Sequence, residues 1–426
     1  MRRPREILTG LILFFLISTA TALSTQVMGA ESLTLDAAIE LAARQNPEVL
    51  RARAAIEAAT GRKLQAESFA DPRLIYEPEE ARGVNPGRFG SQKIGVSQNF
   101  ELFGKRGLRG RIAAADIDVA GQELRRALLV AGARVRKAYW EAAAMQAQIG
   151  HLETTRGLLE AFLEATLARF EGGGASYADV ARAKIEIAKV DNELSEVRAL
   201  FENAKNALNV LLGRPGETSF DLKAPMRLSP ETRSLDQIRE AALRDRPSLL
   251  IAEMERKKSE EARRLARRSY LPDIELTGSY QRLRFEGLEG VGIDHDWSGV
   301  VALTFPFPGA KRQRGLVKEA EAERRRASIA REATARETSA AIERAYRSLR
   351  AAETQARRFE QSLLPDAEDA LRSGIDSYQY GQIDSLSMLD IYRTYKETQI
   401  AHTRGLLAVL LAQADLEAAG EEEEKP

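Results

Sequence analysis

The stretch NFELFGKR, Asn99–Arg106, returns later in the chain as TFPFPGAKR, Thr304–Arg312, with one residue more. Other landmarks recur in the same order. Leu35-Asp36 opens an amphipathic segment that ends at Pro47, and Leu235-Asp236 opens one that ends at Pro247. Pro72 and Pro272 close the next helical stretches. Further on, RFEGGGASYADV (Arg169–Val180) is answered by SYQYGQIDSLSM (Ser377–Met388), with Phe170 opposite Tyr378 and Gly173 opposite Gly381. The offset is 200 residues from Leu35 to Leu235 and 208 from Gly173 to Gly381. So little drift over so many landmarks describes one structural unit used twice. The copies occupy 31–213 and 234–418, joined by a linker at 214–233 that holds Pro215, Gly216, Pro225 and Pro230.

Each copy reads as short helix, helix, two strands, very long helix, turn, helix. In the first, the long helix begins near Lys105 and runs to about Phe170, where Gly172-Gly173-Gly174 breaks it. Along it Leu124, Leu128, Ala131, Val135, Ala138, Ala142, Met145, Ile149 and Leu152 alternate spacings of four and three. That is a heptad seam, so the helix packs laterally as in a coiled coil. Its Ala-rich seam lets neighbouring backbones approach closely. At 1.5 Å per residue, ~66 residues make a rod of roughly 100 Å. The second copy predicts a similar rod from Lys311 to about Tyr378. The molecule is expected to be elongated.

The strand candidates lie between the helices, at about 73–77, 91–100, 272–281 and 297–305. In the second copy Ile274, Leu276, Gly278 and Tyr280 alternate with Asp273, Glu275, Thr277 and Ser279. Alternation with period two sets one face against something apolar, either a core or lipid. No globular core is evident nearby. Two strands per copy give a four-stranded sheet with two open edges. A membrane barrel needs at least about eight strands, so several chains must share one. The fold class is mainly α with a small β part.

Composition narrows the function. The chain has 426 residues, 63 Lys+Arg against 63 Asp+Glu, no Cys and 30% charged residues. That charge density excludes a polytopic helical membrane protein. Absence of Cys excludes disulfide frameworks, thiolate metal sites, a Cys nucleophile and a lipid-modified Cys. Zero net charge argues against a nucleic-acid partner. Residues 1–30, with Arg2, Arg3 and Arg5 before the apolar run Ile7–Ile17, read as an export signal cleaved after Ala22 or Ala30. A membrane anchor is the competing reading, but the run is short for one. The acidic tail, 419–426, reads as a solvated end.

These features resemble the TolC family of outer-membrane efflux proteins over about Leu33–Leu416. The carriers are the tandem repeat, the LDAAIELAARQNPEV opening, the GKR and GAKR junctions and the two turns. The resemblance implies a homotrimer whose twelve strands form one barrel in outer-membrane lipid, with the helices continuing the pore through the periplasm. It also implies a periplasmic adaptor and an inner-membrane pump as partners. The turns at Gly172–Ser176 and Gly381–Ser385 would be the periplasmic tip. ADPRLIYEP and FGKRG look most like the copper or cobalt-zinc-cadmium efflux branch.

The tip candidates are Gly173, Ser176, Asp179, Gly381, Ile383, Ser387 and Asp390. Threefold symmetry would make each Asp a ring of like charges that favours cations. An Asp in a first helical turn is equally explained by the helix dipole. Where the resemblance implies an Arg and a further Asp in the second turn, this chain has Ile383 and Ser387, so the bonds closing the tip are expected to differ. Tyr76, Phe100, Tyr280 and Trp297 are candidates for interfacial aromatic belts, or for strand ends on a core.

Asp294-His295-Asp296 could offer oxygen and imidazole to a metal, but the Gly287, Gly290 and Gly292 spacing reads as a solvated loop. His151 and His402 read as surface or packing residues. No catalytic motif and no cofactor site is evident, so no enzyme is expected. The leading expectation is a passive export duct of a tripartite efflux system, carrying heavy-metal cations. A periplasmic coiled-coil adaptor or structural protein is the alternative, and a metal-dependent periplasmic enzyme a third.

Overall fold

The structure, a computed structural model, describes residues 31–80, 89–223, 225–227, 231–287, 290–305 and 311–420. The export signal and most of the acidic tail lie outside these. The first copy contains β1 (Glu31–Leu33), α1 (Leu35–Gln45), α2 (Pro47–Glu67), β2 (Arg73–Glu80), β3 (Phe89–Phe100), α3 (Lys105–Glu171) and α4 (Tyr177–Leu211). A short strand β4 (Phe220–Leu222) follows. The second copy contains α5 (Leu235–Asp245), α6 (Pro247–Arg268), β5 (Asp273–Gly287), β6 (Gly290–Thr304), α7 (Lys311–Arg358), a π turn (Phe359–Leu363), α8 (Leu364–Gln379) and α9 (Ser385–Gly420).

Local chemistry sets the boundaries. Asn46 accepts from the Glu48 N–H at 2.9 Å and Pro47 opens α2 at a position where no N–H is needed. Ser234 and Gln237 close a capping box on α5. α3 spans 67 residues, about 100 Å, and packs against α2, α4, α6 and α9. Ala131, Val135, Ala142 and Leu152 of its seam are buried. Ala133, Tyr139, Ala143 and Ala144, off the seam, are buried as well. One stripe would serve a two-stranded coil; a rod gripped by several helices needs a wider apolar face.

The second rod differs from the expected unbroken helix. It has two residues more, since its start lies 206 after that of α3 (Lys105 to Lys311) and its end 208 after (Glu171 to Gln379). The π turn takes up the extra length without ending the rod. Pro365 follows as the second residue of α8. It has no N–H to donate to the Gln361 carbonyl one turn earlier, and the widened turn relieves its ring clash.

The linker is also less passive than its prolines suggested. β4 pairs in parallel with β1, Glu31 opposite Phe220 and Leu33 opposite Leu222. The buried Tyr139 hydroxyl donates to the Leu33 carbonyl at 3.1 Å and is 3.2 Å from that of Lys223. Asn209 Nδ2 donates to the Gly216 and Thr218 carbonyls, both at 2.9 Å. Val135, Ala142, Leu208, Leu212 and Phe220 form the core beneath.

The main sheet is antiparallel in the order β2-β3-β5-β6. Its strands overrun the expected ranges, most of all β5 and β6, which pair from Asp273↔Thr304 to Gly287↔Gly290. Asp294, His295 and Asp296 therefore lie within β6, not in a loop. Glycines that suggested a loop instead end a long hairpin. Pleating sends His295 to the face opposite the two carboxylates, and among the described residues no group of three His, Cys, Asp or Glu is placed to hold a metal. No helix among the described residues is long and apolar enough to cross a membrane.

Candidate functional site

The two faces of the sheet differ sharply. On one, Tyr76, Ile94, Tyr280 and Trp297 share a single rung. Tyr280 and Trp297 have ring centroids 5.0 Å apart, and Trp297 is 80% exposed. Leu74, Val96, Leu276, Val301 and Leu303 continue this face and are exposed. Phe100 lies at its lower end, six residues below Ile94 on β3, edge-on to Phe69 at 5.7 Å. Six residues span roughly 20 Å. A band of apolar side chains that no part of the described chain covers is thus bounded by aromatics at both ends.

The opposite face is polar and crowded. Ser91, Ser97 and Ser279 are buried; Ser279 and Ser298 hydroxyls meet at 2.7 Å, and Ser97 donates to Glu275. A Cβ on Gly95 would come within 2.8 Å of the Ser279 Cβ. Crowding on this face and open space on the other mean that the sheet curls with its polar side concave. Arg73, Glu77, Lys93, Glu275, Asp294 and Asp296 line the concave side.

Lys105 explains the GKR junction. Phe103 and Gly104 both take positive φ, 57° and 70°, to turn the chain from β3 into α3. This swings the nearly buried Lys105 ammonium onto Asp273, 3.0 Å from each carboxylate oxygen, and onto the Leu271 carbonyl at 2.7 Å. Leu102 N–H donates to the same Asp273. One residue of copy one and one of copy two are thus locked where sheet meets rod.

At the other end of the rods the two turns have one design. Gly173 N–H donates to the Phe170 carbonyl and Gly174 N–H to Arg169, while Gly381 N–H donates to Tyr378 and Gln382 N–H to Ser377. Both are Schellman caps, with Gly173 and Gly381 at φ 75° and 73°. The helices that follow are capped by reversed pairs. Ser176 caps α4 and Asp179 closes the box, its carboxylate accepting from the Ser176 hydroxyl at 2.7 Å and N–H at 3.0 Å. Asp384 caps α9, accepting from the Ser387 N–H at 2.8 Å. Ser176 bonds hold Asp179 below the usual carboxylate range, and Ser387 does the same for Asp384. Arg182 reaches Asp179 at 3.2 Å.

Asp384 escaped sequence reasoning, although the 208-residue offset places it opposite Ser176, a position that favours a capping side chain. Ile383 packs onto the core of the tip helices. Asp390 is exposed, one turn before Arg393. Tyr177, Tyr380 and Leu386 are exposed apolar residues around the turns.

The two helical hairpins are clasped above the tip. Arg169 donates to the Tyr378 carbonyl at 3.0 Å and stacks on its ring at 4.7 Å. Thr166, Tyr378 and Ser385 form a buried hydroxyl chain, 3.0 and 3.3 Å. Higher up, Arg393 donates to both oxygens of the buried Glu186 at 2.9 and 2.7 Å. Lys396 meets Glu193 at 2.9 Å. Arg393 holds the Glu186 carboxylate below its ordinary range. None of these four bases and acids was legible as a site, since on a charge-laced helix each looks like a solvated residue.

The sequence profile of the outer membrane efflux protein family matches residues 38–214 and 238–420, one stretch for each copy. The chain belongs to that family. It is 24% identical over 377 residues to the cobalt-zinc-cadmium resistance protein CzcC of Cupriavidus metallidurans, covering 87% of this chain and 85% of the relative. Among solved structures, the outer membrane protein VceC of Vibrio cholerae superposes with a TM-score of 0.74 at 21% identity, covering 91% and 96% of the two chains. CusC superposes with a TM-score of 0.75 at 16% identity, covering 91% of each. The protein is therefore an outer-membrane efflux channel that reaches into the periplasm, a passive conduit and no enzyme. The adaptor and enzyme alternatives fall with this assignment.

Proposed function

We propose that three copies assemble into one duct that passes divalent metal cations from a periplasmic adaptor and inner-membrane pump to the outside. The observation that carries the trimer is the curled sheet with its apolar face bare and its β2 and β6 edges open. Three such sheets joined edge to edge give twelve strands, above the ~eight a membrane barrel needs. Lipid then covers the apolar band, Trp297, Tyr280 and Tyr76 marking the outer interface and Phe100 the inner. The exposed Tyr177, Tyr380 and Leu386 at the tip suit an adaptor's apolar contact.

Two features favour cations as cargo. Carboxylates outnumber bases among the charged residues on the concave face, and rings of three repeat that bias threefold. CzcC, the relative, is named for cobalt, zinc and cadmium resistance. The tip is held shut by Glu186–Arg393, Glu193–Lys396 and Arg169–Tyr378, whereas Asp179 is committed to its cap and Asp390 remains free to face passing cations.

A deletion strain tested against metal salts, dyes and antibiotics decides the cargo. Raised sensitivity to cobalt, zinc, cadmium or copper alone supports the proposal; sensitivity to organic drugs alone rejects it. Crosslinking in membrane fractions tests the assembly, and recovery as a monomer would defeat it.

A further inference from the structure

The outer end of the β5–β6 hairpin carries its arginines on one face and Asp294 and Asp296 on the other. One rung beyond Tyr280 and Trp297, the convex side carries Arg282 beside His295, flanked by Gln92. Arg284 follows on the same face, about 7 Å further along the strand. The carboxylates of this region, Asp294 and Asp296, pair in the ladder with Leu283 and Gln281 and so point to the concave side. Arg282, Arg284 and His295 are all exposed, and the two arginines make no ion pair among the described residues. His295 lies stacked on Tyr280, ring centroids 5.7 Å apart and planes 16° apart, its Nδ1 bonded to the Tyr280 hydroxyl.

β5 is an interior strand of the sheet. Closing the barrel through the β2 and β6 edges therefore leaves Arg282 and Arg284 on the outside, one strand in from the joint between protomers that His295 borders. The helices leave the sheet at the opposite end, so the patch sits at the outer leaflet, just above the hydrocarbon. On β5 this face carries one acid, Glu286, two residues beyond Arg284, while Arg282 has Gln92 and His295 as its cross-strand neighbours. The two arginines outnumber that acid and can take up anions of the headgroup layer. Two guanidinium forks about 7 Å apart suit the oxygens of a phosphate monoester, which accept bidentate, charge-assisted bonds.

We propose that Arg282, Arg284 and His295 form a binding site for the phosphate groups of an outer-leaflet phosphorylated glycolipid. The site rests on the reading of the sheet as a lipid-facing barrel. It ties each protomer to the anionic outer leaflet, with Trp297 and Tyr280 seated at the glycolipid's acyl boundary beneath.

The full-length channel, purified in detergent and placed in nanodiscs, is tested with bisphosphorylated lipid A, dephosphorylated lipid A and phosphatidylglycerol. Bound lipid is counted by native mass spectrometry. The expected result is retention of bisphosphorylated lipid A at least about tenfold above the other two, as two lost charge-assisted contacts would imply. R282Q/R284Q is expected to abolish that preference and R282K/R284K to keep part of it, each as a conducting trimer. Equal retention of all three lipids by the unaltered channel would overturn the proposal, as would an undiminished preference in R282Q/R284Q. Phosphatidylglycerol held as tightly as bisphosphorylated lipid A would overturn the glycolipid assignment. If the unaltered protein neither inserts nor conducts, the barrel reading itself fails.

Discussion

Removing Arg393 tests the clasp that we hold responsible for closing the tip. Arg393→Ala deletes two charge-assisted bonds and leaves Glu186, 5% exposed, with only Lys189 at 3.3 Å on its own helix. Stranding one partner of a fully buried pair costs about 3–5 kcal/mol. The Arg393 side chain is 39% exposed, so solvent screening lowers the cost to about 2 kcal/mol. If the clasp exists only in the closed arrangement, that cost shifts closed against open roughly 30-fold. Planar-bilayer recordings of the purified trimer should show a comparable rise in open fraction at unchanged full conductance. Glu186→Ala combined with Arg393→Ala removes the stranded charge and should return part of the closed population. An open fraction equal to that of the unaltered channel would refute the clasp, provided the trimer assembles normally.

Four further outcomes follow from the geometry. Lys105→Met strands Asp273 at the sheet–rod junction and should cost about 2–4 kcal/mol, read as a lower melting temperature of the trimer. Gly213→Ala must hold a side chain at φ +72° with its Cβ 2.4 Å from the Gln45 carbonyl oxygen, so it should destabilise well beyond the ~1 kcal/mol of a left-handed strain alone. Gly173→Ala, at φ +75° in open space, should show only that ~1 kcal/mol in the same thermal melt. Burial pushes the His151 and His402 imidazoles below their ordinary range. The unfolded chain then binds more protons between the two pKa values, so stability is complete above about pH 6.5 and declines as pH falls below it. Thermal melts from pH 8 to 5 should lose that dependence in His151→Gln/His402→Gln.

Much of the fold was legible because its periods are long. A heptad seam from Leu124 to Leu152 in α3, prolines at the ends of the short helical segments, and a repeat of whole units all survive local noise. What escaped were features made by tertiary contact. β1 and β4 have three residues each, too few for alternation to register, and exist because Tyr139 and Phe220 pull the linker onto the rods. The extent of β5 and β6 was masked by Gly287, Gly290 and Gly292, residues that serve a hairpin's end as well as a loop. The π turn has no motif; it appears only as a two-residue difference between the copies. At the candidate site, glycine caps and aromatic rungs could be placed from sequence. The clasp could not, because Glu186, Glu193, Arg393 and Lys396 differ from their charged neighbours only in what stands across from them.

The reversed caps at the tip carry a consequence for stoichiometry. Seen end-on, the proposed ring of three chains would present six helical hairpins, which a coarse view would treat as six equal docking points. They are not equal. Three begin with a serine backed by an aspartate, at Ser176 and Asp179, and three with an aspartate backed by a serine, at Asp384 and Ser387. The charge therefore sits at alternating depths around the rim, Tyr177 accompanies one type and Tyr380 the other, and only the second rod carries the extra turn length of its π segment. An adaptor that surrounds this rim with six identical copies meets two kinds of surface in alternation. It must either bind both with one adaptable loop or leave three of its six contacts weaker than the rest.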